Sequence, residues 1–211
     1  MMKHVIISII ICILALSVPP AEASLITIEI EAIVDSVDDS GNYLEGQINP
    51  GDIITGSYTY ESSTPDSSPS DPIVGHYYNY SPPAGISLTV GAFDFATDPE
   101  NVYFLVGIVN DNPSGHDIYW IHSYNNLALF NGTSVDHISW QLNDPTASVF
   151  SNDSLPATPP VLDDWQSIYG LRLHGERYGY ILDAHVTSAI PEPATILLFT
   201  LGGLLLRKRS S

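Results

Sequence analysis

The feature that most constrains this chain is a period of two. Ile26, Ile28, Ile30, Ala32 and Val34 alternate with Thr27, Glu29, Glu31 and Asp35. Successive side chains of a strand point to opposite faces, so this pattern makes a half-buried strand with the aliphatics on one side. After an Asn49-Pro50-Gly51-Asp52 turn the pattern returns in Ile53–Tyr60, rich in the β-branched and aromatic residues that suit a pleated surface, with Gly56 marking a bulge or a close approach. Further strands are expected at Gly85–Val90, Val102–Asn110, Asp117–His122, Leu127–Phe130, His137–Leu142, Tyr169–His174 and Tyr178–Ser188. No segment between them carries a convincing helical stripe. Eight to ten short strands at this spacing predict an all-β domain, an antiparallel β-sandwich or jelly-roll, flanked by an N-terminal signal helix and a short C-terminal apolar helix. Glu61–Pro72 and Asp144–Asp164, rich in Ser, Pro and Asp, read as surface loops, apart from the apolar Val149, Phe150 and Leu155.

Both ends of the chain differ from this middle. Lys3 and His4 precede an apolar run from Val5 to Val18, and Pro19-Pro20 then lead to an Ala21-Glu22-Ala23 cleavage pattern before Ser24. Residues 1–23 therefore read as a secretory signal peptide, with a mature chain starting at Ser24. The single cysteine, Cys12, lies within that signal, which leaves no disulfide for the mature domain. At the other end, Ile190-Pro191-Glu192-Pro193 opens a 13-residue apolar stretch, Ala194–Leu206, closed by Arg207-Lys208-Arg209. As a helix it would reach roughly 20 Å, short of the ~30 Å hydrocarbon core. The terminal cations resist translocation and place everything upstream on the far side of the membrane.

A Pro-Glu-Pro turn, an apolar stretch and an Arg-rich end in that order resemble the PEP-CTERM sorting signal of exopolysaccharide-producing bacteria. The resemblance covers residues 190–211, with Ile190 standing where that family often has Val. It implies an exported protein, held transiently in the inner membrane, processed by an exosortase-type membrane protease and delivered to the cell surface, the matrix or the medium. Gly51-Asp-x-Ile-x-Gly-x-Tyr-x-Tyr60, Ser87-Leu-Thr-Val-Gly91 and Ser154-Leu-Pro-x-Thr-Pro-Pro160 also resemble an uncharacterised ectodomain type common among such proteins, one that brings no known activity with it.

Residues 24–189 form the expected ectodomain, long enough for one domain with a substantial core. They hold 22 of the 24 acidic residues but, of the six basic ones, just Arg172 and Arg177, a net charge near −20. Such a surface disfavours nucleic acid and acidic glycans, and favours solubility and divalent cations. Catalytic signatures are sparse. No G-x-S-x-G elbow occurs, and the mature chain lacks a thiol. Glu29 and Glu31 share a strand face that points to solvent, which is poor material for the paired carboxylates of a glycosidase, although Glu45, Glu100 and Glu176 could approach one another in the fold.

Two binding sites are candidates. Asn110, Asn112, Ser114 and Asp117 place oxygens around Gly115 in the manner of a calcium loop, but an amide at the first position and Ile121 at the last fit a plain Asn-Pro turn better. Asp35–Asn42 is a weaker second calcium candidate, readable equally as a solvated hairpin turn. His76, His116, His122, His137, His174 and His185 show no zinc spacing and read as scattered. Tyr77, Tyr78 and Tyr80, following His76 between proline-rich loops, are a candidate sugar-stacking platform; the competing reading turns Tyr78 and Tyr80 inward and fills the core with Trp120, Trp140 and Trp165. Three functions follow in order of expectation: a non-catalytic surface or matrix protein, a carbohydrate-binding module of a polysaccharide matrix, and an enzyme acting on that polysaccharide.

Overall fold

The computed structural model describes residues 24–192. The expected signal peptide with Ala21 and Ala23, and the tail from Pro193 through Arg207, Lys208 and Arg209, lie outside the described residues. Ten strands follow in chain order: β1 (Leu25–Asp38), β2 (Ile53–Glu61), β3 (Val74–Asn79), β4 (Gly85–Val90), β5 (Phe93–Ala96), β6 (Phe104–Val109), β7 (Asp117–Ser123), β8 (His137–Asp144), β9 (Ser167–His174) and β10 (Ile181–Pro191). They make one antiparallel sheet in the order β3-β6-β7-β8-β9-β10-β1-β2-β4-β5. The all-β expectation therefore holds. Among the described residues no helix is long and apolar enough to cross a membrane.

The sheet curls because one face is apolar along its whole width. Ile26, Ile28, Ile30, Ala32 and Val34 of β1 all point into a single core, with the inward residues of β2, β4 and β6–β10. The curl brings β2 against strands far away in the sheet order. Tyr58 lies 6.5 Å from Phe104 and 6.1 Å from Trp140 between ring centres, and the Tyr119 hydroxyl donates to the Tyr58 hydroxyl at 3.0 Å. Burying both phenols pushes their pKa values well up, so the pair stays neutral and hydrogen-bonded. Gly56 is a close approach: a Cβ there would collide with the Ser87 carbonyl of β4.

Several sequence expectations are corrected. Leu127–Phe130 is a turn, tied back by Leu127 N to Ala96 O and Gly132 N to Leu129 O, with Phe130 exposed against Phe93. β3 and β5 were not foreseen, because each is six residues or fewer and lies among prolines, glycines and aspartates that read as loop. Trp140 and Trp165 are buried as expected, whereas Trp120 lies half-buried on the outer face, its indole over Gly107.

The loop from 145 to 166 is held down rather than free. Asp117, at the start of β7 and fully buried, accepts Asp111 N on one carboxylate oxygen and Val149 N and Phe150 N on the other. Its partner in register, Asp144, accepts the backbone N–H and hydroxyl of both Thr146 and Ser148. Burial alone would raise the Asp144 pKa, but these four hydrogen bonds outweigh it and bring the carboxyl to about 2. Val149, Phe150 and Leu155 then pack on the core, and Tyr60 and Tyr77 donate to the carbonyls of Pro156 and Asp153.

The chain enters and leaves at one end of the sheet. Ser24 precedes β1 and bonds to Ser62, while Pro191 pairs with Ile28 and Glu192 N donates to Thr27 O at 3.1 Å. Of the three residues expected to form a sorting motif, Pro191 and Glu192 are thus held on the sheet next to the start of β1.

Candidate functional site

The residues that stand out lie on the outer face of β3 and β6–β9, in a row that ends where β9 meets β10 at Ile181. Alternation in β3 turns Gly75, Tyr77 and Asn79 inward, which leaves His76 and Tyr78 pointing out. Tyr77 is therefore not part of any platform: it is 6 % exposed. Tyr78 and the 68 % exposed Tyr80 do face outward, contrary to the reading that turned them into the core, and their rings stack 6.1 Å apart at 13°.

Strand register then recruits residues that the sequence shows no reason to group. Tyr103, just before β6, sits 5.8 Å from Tyr80 at 20°, and Tyr124, just after β7, sits 4.8 Å from Tyr103. A Tyr124 N to Tyr103 O bond continues the ladder between them. The row runs on through His137 of β8, 5.2 Å from Tyr124, and His174 of β9, its partner in register at 5.3 Å, and ends on Tyr178, 4.7 Å beyond. His122 fills the angle between Tyr124 and His137, donating to or accepting from the Tyr124 hydroxyl at 2.9 Å. A parallel contact joins His76 to Trp120 at 5.7 Å. Beneath the rings Leu105, which faces out between Tyr78 and His122, is 3 % exposed, so β6 is buried on both faces.

This surface is polar but nearly uncharged. Burial, with His137 adjacent, lowers the His122 pKa to about 4, and burial next to His174 lowers that of His137 against the opposing pull of Asp136. Both are neutral at neutral pH. Burial and neighbouring phenols raise the pKa values of Tyr78 and Tyr124, which keeps their hydroxyls protonated as donors. The nearby ions lie next to partners: Arg172 forks onto Asp183 at 2.6 and 3.1 Å, Arg177 lies 3.6 Å from Glu176, and the half-exposed carboxylate of Asp136 lies 3.6 Å from His174 Nδ1. Stacked aromatic rings that carry hydroxyls suit a ligand with apolar faces and many hydroxyls.

The other candidates are placed differently. The Asn110–Asp117 segment is a hydrogen-bonded turn: Asn112 Oδ1 accepts Ser114 N and His116 N, and both Asp117 oxygens are taken by backbone N–H groups. Asn110, Asn112, Ser114 and Asp117 therefore do not converge on a calcium ion as they stand. In the second calcium candidate, β1 extends through Asp38 and Asp39 caps the following turn through Tyr43 N and Leu44 N. Among the described residues no group of three His, Cys, Asp or Glu side chains is arranged to hold a metal. The histidines are less scattered than their spacing suggests, since three of the six meet in one row. A crevice of about 560 Å³ next to Tyr178, lined by Tyr43, Asn131, Glu176, Arg177 and Tyr180 among others, contains one carboxylate, Glu176. No protein-family model, curated protein or solved structure matches the chain.

Proposed function

We propose that this is an exported, non-catalytic surface or matrix protein whose ectodomain binds polysaccharide through its outer-face tyrosines. One observation carries the binding: Tyr80 is 68 % exposed yet braced by Tyr78 and Tyr103. A ring already fixed by its neighbours costs little entropy when a sugar stacks on it, and the phenols around it can donate to sugar hydroxyls. The curled sheet, with β2 facing β6–β8 across the core, is read as sandwich-like, the architecture on which such surfaces are commonly displayed.

The export half of the proposal rests on the terminal segments and their resemblance to a signal peptide and a PEP-CTERM tail. Its partners are an exosortase-type protease and, transiently, the inner membrane.

Retention of the purified ectodomain on polysaccharide from the producing cells tests the binding. Tyr80→Ala is expected to reduce retention at least several-fold with an unchanged melting temperature, and equal retention of both proteins would sink the reading. Replacing Pro191, Glu192 and Pro193 with alanine tests the address: export should persist while processing and fractionation change, and unchanged fractionation refutes it.

A further inference from the structure

Resting on that reading, we infer that the ligand is a linear, uncharged glycan chain that crosses the ends of five strands and is gripped at two points, Tyr80 and Tyr178. The two are the most exposed aromatic rings of the row, at 68 % and 67 %, and they stand at its opposite ends. Between them the row takes five steps of 4.7 to 5.8 Å, through Tyr103, Tyr124, His137 and His174, so the grips are about 25 Å apart. An extended β-1,4-linked chain spans that gap with about five sugars, each advancing by close to one strand spacing. Each grip has one side stacked, Tyr80 on Tyr78 and Tyr103, Tyr178 on His174, which leaves the remainder to the ligand. The interval holds Tyr103 and Tyr124, whose hydroxyls are uncharged hydrogen-bonding groups, with neutral His122 and His137 packed against Tyr124.

Tyr178 is held there against backbone preference. Arg177 and Tyr178 have φ of 55° and 58°, the left-handed region that bulky residues avoid, in a turn closed by Tyr178 N to Gly175 O and Gly179 N to Glu176 O. That turn projects the ring over His174 rather than letting the chain pass directly into β10. The charge along the row also argues for the class of chain. With Arg172 and Arg177 each next to a carboxylate, Asp136 beside His174 and the domain near −20, the row offers a uronic or sulfated sugar no cluster of cations among the described residues.

The test is titration calorimetry of the full ectodomain with β-1,4-linked glucose, mannose and N-acetylglucosamine oligomers of two to six units, and with oligogalacturonate. For the wild type, affinity for at least one neutral series should rise about tenfold or more from two units to five and then level off. Tyr178→Ala should remove that gain, so that the five-unit chain binds no more tightly than the two-unit chain, while Tyr178→Phe, which keeps the ring, should restore it. Affinity that does not grow with length, still lost in Tyr80→Ala, would overturn the two-point chain but not the polysaccharide reading. Tighter binding of oligogalacturonate than of any neutral chain would overturn the uncharged class. Absence of binding to every series, or binding indifferent to Tyr80→Ala, would overturn both.

Discussion

The outer surface of this one sheet has two unlike halves. Over β1, β2 and β4 it is a lawn of small polar groups, with Thr27 bonded to Thr59 at 3.0 Å and Ser57 opposite Ser87. Over β3 and β6–β9 it is a row of stacked rings that buries Leu105 beneath it. Both halves obey the same alternation and back onto the same core. The difference shows that the period of two decides which residues face outward, while register between strands decides whether those residues make a surface with a purpose.

The largest expected effect separates the ring half from what supports it. Asp117→Asn would point an amide N–H at one of three backbone donors, at the end of β7 remote from Tyr124. Losing buried, charge-assisted bonds of this kind costs about 3 kcal/mol. Thermal melting should show that loss, and because the rings lie at the other end of the strand, glycan retention below the melting point should be unchanged. Lost retention in a protein that still melts cooperatively would mean that the 145–166 loop, not the row, shapes the site.

Next is a contrast between two glycines, one in each half. At Gly107 a Cβ would run into the Trp120 indole, and at Gly56 into the Ser87 backbone carbonyl. Either alanine should cost about 2 kcal/mol. Trp120→Ala should recover most of the Gly107→Ala loss, because the obstruction is a side chain, whereas no side-chain change should rescue Gly56→Ala. A double-mutant cycle by denaturant unfolding reads the difference, and failure of the Trp120 rescue would show that the indole is not seated over Gly107.

Acid should then weaken the ring half. His122 has an ordinary pKa of 6.5 and a folded value of about 4, so the unfolded chain binds the proton first. Stability from this residue is complete above pH ~6.5, falls as pH drops toward about 4, and is flat below that. After allowance for its partial exposure the loss is about 1–2 kcal/mol. His122→Gln should flatten the pH profile of stability across that window, and an unaltered profile would assign the acid sensitivity elsewhere.

How far all this was legible in the sequence follows from the same contrast. β1 and β2 announce themselves, because their alternating residues are contiguous and one face is almost wholly aliphatic. β3 and β5 do not, since VGHYYN and FDFA are short, lack a clear aliphatic alternation and are flanked by prolines, glycines and aspartates. Tyr78 and Tyr80 are neighbours in the chain and could be nominated, although a parity error was needed to add Tyr77. Tyr103, Tyr124, His137 and His174 could not, because they become neighbours through the β6–β9 register and each is separated in sequence by a turn or loop. The buried run Phe104–Val109, apolar on both faces but for Gly107, was the one clue that something must cover the outside of β6.

The smallest expected effect is the sharpest test of the contrast, because it matches two substitutions for cost and not for consequence. Thr59→Ala removes one half-buried cross-strand hydrogen bond, and Tyr80→Ala removes a ring packed on Tyr78 and Tyr103. Cross-strand polar pairs contribute about 0.2–1 kcal/mol and exposed ring pairs about 0.5–1.5 kcal/mol, so both variants should melt within a few degrees of the parent. Their binding should nevertheless diverge, with Thr59→Ala retained on polysaccharide like the parent and Tyr80→Ala released. If both are retained equally, the two halves differ in appearance alone and the stacked tyrosines serve to cover Leu105. If both are released, the polar lawn belongs to the site and the ligand wraps the sheet rather than lying across one end of it.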